Sequence, residues 1–417
     1  MPIVKLGVLS VLDILNLSLD HTELLAVAGS LVGLGGLAWK LYFALTSAPH
    51  LQAEKHQQSK TAEGLSAREI AETNIVIIVP AYNEELNVCP CLTSILDSTP
   101  SPIRVILADD SSTDATAELA DQLRQERADV RLSILRVPSR PEHERWVGKN
   151  WACNYTVQQL ASSAEGLPDY LLFLDCDVTL EPGALEAAIS LARQQQVGLL
   201  TIAPEIVCGC FAEWLVQPIM MASMAGWFEP SQVNDDKCAD AFAAGPFMLF
   251  ERSAYLEIGG HSGVRECVVE DVELASAIKR HNLGLQFTYS GSLVKLRMYR
   301  DAAQLWEGWT KNAFEAVERN WLLWLFAVVA LGGLFLVPWV VGILGLITSN
   351  WLLLVLAISA ITFHLLIRLM LRKWANLPLT YWWLSGAGGL VTIAIFLTSA
   401  YRTTTGRNWT WKGRSLQ

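Results

Sequence analysis

The pattern of apolar and polar positions divides the chain into an apolar beginning, a mixed middle and an apolar end. Residues 24–45 are apolar apart from Lys40, and three further apolar segments lie at 322–347, 351–371 and 381–400. A helix needs about 20 residues to cross the core of a bilayer, and each segment reaches that length. We therefore predict one membrane-spanning helix near the N-terminus and about three near the C-terminus.

A signal peptide or a soluble helical domain would account less well for these segments. A cleaved signal peptide could include 24–45, but its apolar stretch is usually shorter and begins earlier. A buried soluble helical domain could include the C-terminal segments, but it needs acidic surface, and no Asp or Glu occurs between Trp321 and Ala400. Tryptophans also crowd the ends of these segments, where indole favours the membrane interface.

The middle of the chain alternates short β-branched runs with helical stretches. The pattern predicts strands at 75–79, 105–108, 132–137 and 170–174, and helices at 85–96, 114–126, 150–161 and 183–195. This alternation is typical of the α/β class, with a mainly parallel, Rossmann-like sheet and helices on both faces. We predict an N-terminal anchor (1–48), a linker (49–73), an α/β domain (74–320), a transmembrane region (321–400) and a basic tail (401–417).

The distribution of charge restricts the partners and the orientation of the chain. Acids outnumber bases by 41 to 31, and the excess lies in the middle, which argues against nucleic-acid binding. Basic residues after the first and third predicted spans place the middle on the cytoplasmic side. They are Lys55, Lys60, Arg68, Arg368, Arg372 and Lys373. The basic tail disagrees, so either one segment is re-entrant or interfacial, or an external tail charge is tolerated.

Acidic residues follow three predicted strands at the same edge of the sheet, where ligands bind in such folds. They are Glu84 and Glu85, Asp109 and Asp110, and Asp175 and Asp177. Asp114 or Ser112 could instead serve as helix caps. Because side chains two apart on an extended segment share a face, Asp175 and Asp177 can converge on one ligand. Their oxygens suit Mg²⁺ or Mn²⁺ and leave coordination positions for a diphosphate.

Four motifs in order give residues 75–311 a resemblance to the family 2 glycosyltransferases, which are inverting enzymes of the GT-A fold. The family pattern VPxYNE, DDxSxD, DxD and ED occurs here at 79–84, 109–114, 175–177 and 270–271. The resemblance implies a donor site for a nucleotide-diphosphate sugar. The implied donor-binding residues are Pro80, Ala81, Tyr82, Glu84, Asp109, Asp110, Lys149 and Asp175.

The same resemblance implies roles for the remaining acids. Asp177, with Asp175, would hold Mg²⁺ or Mn²⁺ on the diphosphate, and Asp271 would be the general base. Glu270 could take the role of base instead, or the pair could cap a helix. Lys149 would face the diphosphate, the alternative being a solvated lysine.

The acceptor is less well defined by the sequence. Polymer-forming relatives carry a QxxRW motif, whereas Gln304 is followed here by Leu-Trp-Glu-Gly-Trp, which favours single transfers. The arrangement of spans resembles bacterial glycosyltransferases of hopanoid and carotenoid pathways, which implies a lipid or terpenoid hydroxyl as acceptor and a location in the bacterial inner membrane. Acceptor-side candidates are Gly259, Gly260, Trp306 and Trp309.

Three further functions are compatible with the sequence. They are a polyprenyl-phosphate glycosyltransferase, a polysaccharide synthase and a non-catalytic membrane scaffold. The apolar, Met-rich stretch 208–226 is interpreted as a membrane-facing helix beside the acceptor entrance, or as ordinary core.

Overall fold

A seven-stranded sheet forms the centre of the middle domain. The computed structural model describes residues 11–52, 73–99, 103–226, 228–406, 410–411 and 414–415. The strands run in the order β3-β2-β1-β4-β8-β6-β9, and all neighbours are parallel except β8, which is antiparallel to β4 and β6. The seven strands are β1 (Ile75–Ala81), β2 (Arg104–Asp109), β3 (Leu132–Arg136), β4 (Tyr170–Leu174), β6 (Leu199–Ala203), β8 (Phe247–Glu251) and β9 (Leu285–Tyr289). The predicted α/β class with a mainly parallel sheet is confirmed.

The apolar runs form strands because both faces of the sheet are covered. All seven residues of β1 are buried, and the first five alternate between two separate hydrophobic clusters. Ile75, Ile77 and Val79 belong to one cluster, whereas Val76 and Ile78 belong to the other. Three short strands form a second sheet, and the first of them follows β4 along the chain. They are β5 (Val178–Leu180), β7 (Glu205–Ile206) and β10 (Val294–Leu296).

Helices connect the strands close to the predicted positions. Those of the middle domain are α2 (Val88–Ser98), α3 (Thr116–Arg127), α4 (Asn150–Ser162), α5 (Ala184–Gln195), α6 (Phe211–Ala225), α7 (Pro230–Val233), α8 (Arg252–Glu257), α9 (Gly260–Gly263), α10 (Glu270–Arg280) and α11 (Ala302–Asn312). One prediction was displaced: α2 begins at Val88 rather than at residue 85. The carbonyl of Glu84 accepts bonds from the N–H groups of Asn87 and Val88, at 2.9 Å each, so Glu84 stays in the loop.

Four helices among the described residues are long and apolar enough to cross a membrane. Their apolar parts are His21–Ser47, Trp321–Thr348, Trp351–Ala375 and Trp382–Thr405. The helices are α1 (Val11–Ser47), α12 (Trp321–Leu331), α13 (Val337–Thr348), α14 (Trp351–Ala375) and α15 (Ser385–Thr405), with a π-helical segment, Gly332–Leu336, joining α12 to α13. One N-terminal and three C-terminal spans agree with the prediction.

The beginning of the predicted linker packs against the sheet. The N–H of Tyr289 donates to Pro49 O (3.0 Å) and the N–H of Leu51 donates to Tyr289 O (2.8 Å), so the chain after α1 lies along the edge of β9. Lys55, Lys60 and Arg68 lie outside the described residues, as do Arg407 and Lys412 of the tail. The domain boundaries remain predictions. The cytoplasmic orientation of the middle domain, which was inferred from these charges, also remains a prediction.

Candidate active site

A cavity of about 1290 Å³ opens at the carboxyl ends of the strands and extends to the long apolar helices. Most of the predicted site residues line it. Those residues are Pro80, Ala81, Tyr82, Glu84, Asp110, Lys149, Asp175, Asp177, Glu270, Asp271 and Trp309. Asp109 lies just behind the lining and is buried. The structure therefore brings all four acidic motifs to one place.

Two arginines that the sequence did not single out hold the second acidic motif. Arg136 Nη1 donates to Asp109 Oδ2 (2.8 Å) and Arg140 Nη2 donates to Asp110 Oδ2 (3.1 Å). Arg136 is the last residue of β3 and pairs in register with Asp109 on β2. The sequence feature that could have identified Arg136 is its position at the end of the strand beside β2. The two guanidinium groups compensate the buried carboxylates at this end of the site.

Asp114 and Ser112 join the first acidic loop to the second. Ser112 Oγ accepts from Asn83 N (3.0 Å) and Asp114 Oδ2 accepts from Glu85 N (3.1 Å). Asp114 Oδ1 also accepts from the N–H of Thr116, the first residue of α3, at 3.0 Å. Neither residue is the N-cap of α3, which is Ala115 without a side-chain cap, although Asp114 bonds to the first turn of the helix. Both residues instead join the loops after β1 and β2 and keep them at a fixed spacing.

Lys149 bridges the third and fourth motifs. Its ammonium group forms an ion pair with Asp175 Oδ1, lies 3.3 Å from Glu270 Oε1 and donates to Gly245 O (3.3 Å). Burial disfavours the charge, but Asp175 and Glu270 together outweigh it and raise the pKa of Lys149 well above its usual range. This geometry excludes a freely solvated lysine.

Asp271 lies in the first turn of α10 and points toward the loop before β8. Its Oδ2 accepts from Gly245 N (2.9 Å), and its Oδ1 accepts from Val272 N (2.9 Å). Burial, with a further contribution from the charge of Glu270, raises the pKa of Asp271 to about 7. The N-cap of α10 is Val269, and no side chain caps it. The acidic pair therefore does not serve as the helix cap.

A second partly buried lysine enters the cavity from α11. Lys311 lies in the last turn of that helix, and its charge interacts with those of Glu270, Lys149, Asp175 and Asp271. Burial lowers the pKa of Lys311, an effect that Glu270 opposes. The helix is held from two sides, because Trp309 Nε1 donates to Gln217 Oε1 (3.0 Å) and Arg402 Nη1 donates to Thr310 Oγ1 (3.2 Å).

Three of the acceptor-side candidates lie away from the cavity lining. They are Gly259, Gly260 and Trp306. Gly260 has a φ of +51°, and a Cβ there would come within 2.5 Å of the Tyr255 ring, so close packing accounts for this glycine. Trp306 packs partly buried against α6 and the spans. Trp309 alone of the four candidates lines the cavity.

The end of the cavity that lies among the long apolar helices is itself apolar. Residues from α6 and from the helices that follow α11 line it: Met220, Met221, Met224, Val317, Leu323 and Phe396. The predicted Met-rich stretch is thus helix α6, which packs against α1, α11, α14 and α15. One continuous cavity has an acidic, lysine-containing end and an apolar end.

The oxygen donors fit a hard divalent cation that binds a diphosphate. In the part of the chain that the structure describes, no three His, Cys, Asp or Glu side chains form a metal-binding group. Mg²⁺ and Mn²⁺ at phosphate sites need only one or two protein carboxylates. Asp177 lines the cavity, whereas the carboxylate of Asp175 is bonded to Lys149. Asp177 is therefore the better placed ligand.

Comparison with known proteins agrees with this geometry. The model of glycosyl transferase family 2 matches residues 76–259, and that of glycosyl transferase family group 2 matches residues 170–397, more than half of the chain. The 4,4'-diaponeurosporenoate glycosyltransferase of Staphylococcus haemolyticus is 29% identical over 63% of this chain and 64% of its own length. Its counterpart in Staphylococcus aureus is 29% identical over 61% of this chain and 67% of its own length.

Among solved structures, a mannosyltransferase from Pyrobaculum calidifontis in complex with GDP-Man and Mn²⁺ shares the GT-A fold. It has a TM-score of 0.50 and 15% sequence identity, covering 93% of this chain and 99% of its own. The order of the acidic motifs, their convergence on one cavity and the family matches lead to one conclusion: the chain belongs to glycosyl transferase family group 2.

Proposed function

We propose that the protein transfers one sugar from a nucleotide-diphosphate sugar to a lipid-soluble terpenoid hydroxyl at the cytoplasmic face of the bacterial inner membrane. The observation that carries the proposal is the continuous cavity. Its acidic end lies at the strand termini, and its apolar end lies among helices that are long enough to span a bilayer. A donor in water and an acceptor in lipid can therefore meet within it.

The donor end is suited to a nucleotide and its diphosphate. Tyr82 and the buried pair Asp109 and Asp110, held by Arg136 and Arg140, would position the nucleoside. Mg²⁺ or Mn²⁺, held by Asp177 with Asp175 nearby, would supply positive charge that neutralises the diphosphate. Lys149 would keep Asp175 and Glu270 in place beside it. The Pyrobaculum relative, solved with GDP-Man and Mn²⁺, is consistent with this assignment.

Asp271 is the proposed general base. A carboxylate with a pKa near 7 accepts a proton at neutral pH more readily than an ordinary one. It would take the proton from the acceptor hydroxyl, whose oxygen then attacks the anomeric carbon as the bond to the diphosphate breaks. A single displacement of this kind inverts the anomeric configuration.

The acceptor assignment rests on the apolar end of the cavity and on the relatives. The methionines of α6 form an adaptable apolar surface for an irregular hydrophobic chain. Two matched relatives are named for 4,4'-diaponeurosporenoate, a terpenoid carboxylate, so they support the terpenoid chain of the acceptor, whereas the hydroxyl is part of our proposal.

Nucleotide release tests the enzymatic part of the proposal. Purified protein in detergent is incubated with UDP- and GDP-sugars, with Mn²⁺ or with EDTA. We expect release of free nucleoside diphosphate from one donor, dependent on the cation and lost in Asp177→Ala. Absence of release with every donor would support a non-catalytic scaffold and overturn the proposal.

A further inference from the structure

A buried charged cluster outside the cavity lies where α6 meets the membrane-spanning helix α14. Glu213 is fully buried at the start of α6, and Arg368 of α14 is only 3% exposed. Arg297 follows strand β10 and approaches Glu213 from the other side. None of the three lines the cavity, so the proposed mechanism gives them no role.

Both Glu213 and Arg368 hold the beginning of α6. Glu213 Oε2 accepts from the N–H groups of Gly209 (2.7 Å) and Cys210 (3.1 Å). Arg368 Nη2 donates to the carbonyl of the adjacent Trp214 at 3.1 Å. A membrane-spanning helix is thus bonded directly to the first turn of a helix whose other end lines the cavity.

Arg297 connects the same turn to the third acidic motif. Its Nε lies 4.0 Å from Glu213 Oε2, and its guanidinium covers Gly209 so closely that a side chain there would clash with it. Its backbone N–H donates to Asp177 O at 3.2 Å. The connection from the spans to the backbone of Asp177 therefore runs from Arg368 to Trp214, through the first turn of α6 to Glu213, and from there to Arg297.

The cluster is costly for the fold. Glu213 Oε1, Arg297 Nε and Arg368 Nη1 are buried, and no hydrogen-bond partner for them is found in the described parts of the chain. Buried charged groups that lack full hydrogen bonding destabilise a protein, and apolar replacements of similar volume are often neutral or stabilising. Stability therefore does not explain this cluster, whereas a fixed register between two structural units does.

The thiol of Cys208 lies within electrostatic reach of all three charged groups. Burial raises its pKa to about 12, and the charge of Glu213 adds to this increase. Arg368 and Arg297 both oppose it.

We propose that Arg368, Glu213 and Arg297 are positioning residues that fix Asp177 relative to the membrane-spanning helices. This inference rests on the proposed function, because it gives Asp177 a place at the donor. Helix α6 would keep the donor end and the acceptor end of the cavity at a constant separation, since its first turn holds Arg297 and its later turns carry Met220 and Met224.

The test substitutes Arg368 and measures nucleotide binding without turnover. In Arg368→Met, calorimetry with UDP or GDP and Mn²⁺ should give a Kd raised about tenfold, because loss of residues that orient a metal ligand typically costs about 10–100-fold in metal affinity or activity. The donor KM of the folded, active fraction should rise equally, whatever the change in melting temperature. Arg368→Lys, which can still donate to Trp214 O, should restore most of the affinity. The matched control is Arg252→Met, whose guanidinium also donates to a backbone carbonyl but lies far from the cavity.

Two results would overturn the inference while leaving the proposed function intact. One is a wild-type Kd and donor KM in Arg368→Met. The other is a lower melting temperature and a smaller active fraction at unchanged Kd, which would assign the cluster to stability. If Arg368→Met does not fold, Glu213→Gln carries the same expectation. A wild-type protein that binds neither nucleotide would overturn the proposed function, and this inference with it.

The energetic coupling between Glu213 and Arg368 in nucleotide binding provides a second test. If both act through the first turn of α6, the double variant Glu213→Gln/Arg368→Met should weaken nucleotide binding less than the product of the two single effects. Independent, multiplicative effects would contradict a shared junction.

Discussion

The backbone N–H of Gly245 donates to Asp271 Oδ2 at 2.9 Å, and a Cβ added to Gly245 would lie 2.7 Å from the same oxygen. The absence of a side chain at position 245 therefore sets the orientation of the proposed base. Gly245→Ala should lower kcat by about 10²-fold, because the carboxylate must move away from the acceptor. Steady-state kinetics measure this effect, with Gly36→Ala, which meets no atom within 4 Å, as the control. Equal loss in both variants would contradict this role of Gly245.

The pH dependence of the reaction should reflect Asp271. Its pKa of about 7 arises from burial and from Glu270, while Lys149 opposes the shift. Since only the carboxylate accepts a proton, kcat/KM should rise with pH through about 7 and level off above it. Glu270→Gln removes the neighbouring negative charge, so the midpoint should move to lower pH. A midpoint that stays in place in this variant would show that another group controls the profile.

Lys149→Met should move the midpoint in the opposite direction. Without the ammonium group, the charges of Asp175 and Glu270 are left uncompensated beside Asp271, which makes ionisation of Asp271 harder. We expect a higher midpoint and weaker activity at pH 7, measured by the same kinetic profile. Arg252→Met, which removes an exposed cation elsewhere, should leave the midpoint unchanged.

Asp271→Asn should separate activity from stability. The folded state raises the pKa of this carboxyl from 3.8 to about 7, so the stability present below the unfolded pKa is lost as the pH rises through 7. At pH 8 the variant should therefore have a higher melting temperature than the wild type, while transfer falls by about 10²-fold or more. A lower melting temperature at pH 8 would contradict the unfavourable burial of this charge.

The sequence predicted the elements that depend on local pattern. Apolar strands followed by Asp109, Asp175 and Asp177 were recognisable because strand ends and acidic pairs are adjacent along the chain. Arg136 and Gly245 were harder to assign, because their partners Asp109 and Asp271 lie 27 and 26 residues away. Only the folded structure shows that the residues of each pair are hydrogen-bonded.

The N-terminal segment shows a different limit of sequence analysis. Residues 49–52 read as part of a polar linker, yet Pro49 and Leu51 bond to Tyr289 at the edge of β9. Backbone hydrogen bonds do not depend on the pattern of side chains, so no hydrophobic periodicity in the sequence predicts such pairing. The acceptor-side glycines illustrate the converse, because Gly260 is small so that the Tyr255 ring can pack against it, and Gly259 adopts a φ of +76°, which favours glycine.

The apolar end of the cavity offers a test of the acceptor. Met224→Glu places a charge on the surface proposed for the hydrophobic chain, so the acceptor KM should rise about tenfold or more while the donor KM stays constant. Leu256→Glu, at an exposed position away from the cavity, is the matched control. Equal changes in donor and acceptor KM would argue against separate ends.

In the proposed reaction, one cavity joins an aqueous sugar donor to a membrane-embedded acceptor. The direct measurement supplies labelled UDP- or GDP-sugar and Mn²⁺ to the protein in nanodiscs that contain terpenoid alcohols, and then separates lipid from water. We predict label in the lipid fraction with the mass of a singly glycosylated terpenoid, absent in Asp177→Ala and strongly reduced in Asp271→Asn. Label found only as free sugar would contradict this function. Lipid product formed by both variants in the same amount as by the wild type would also contradict it.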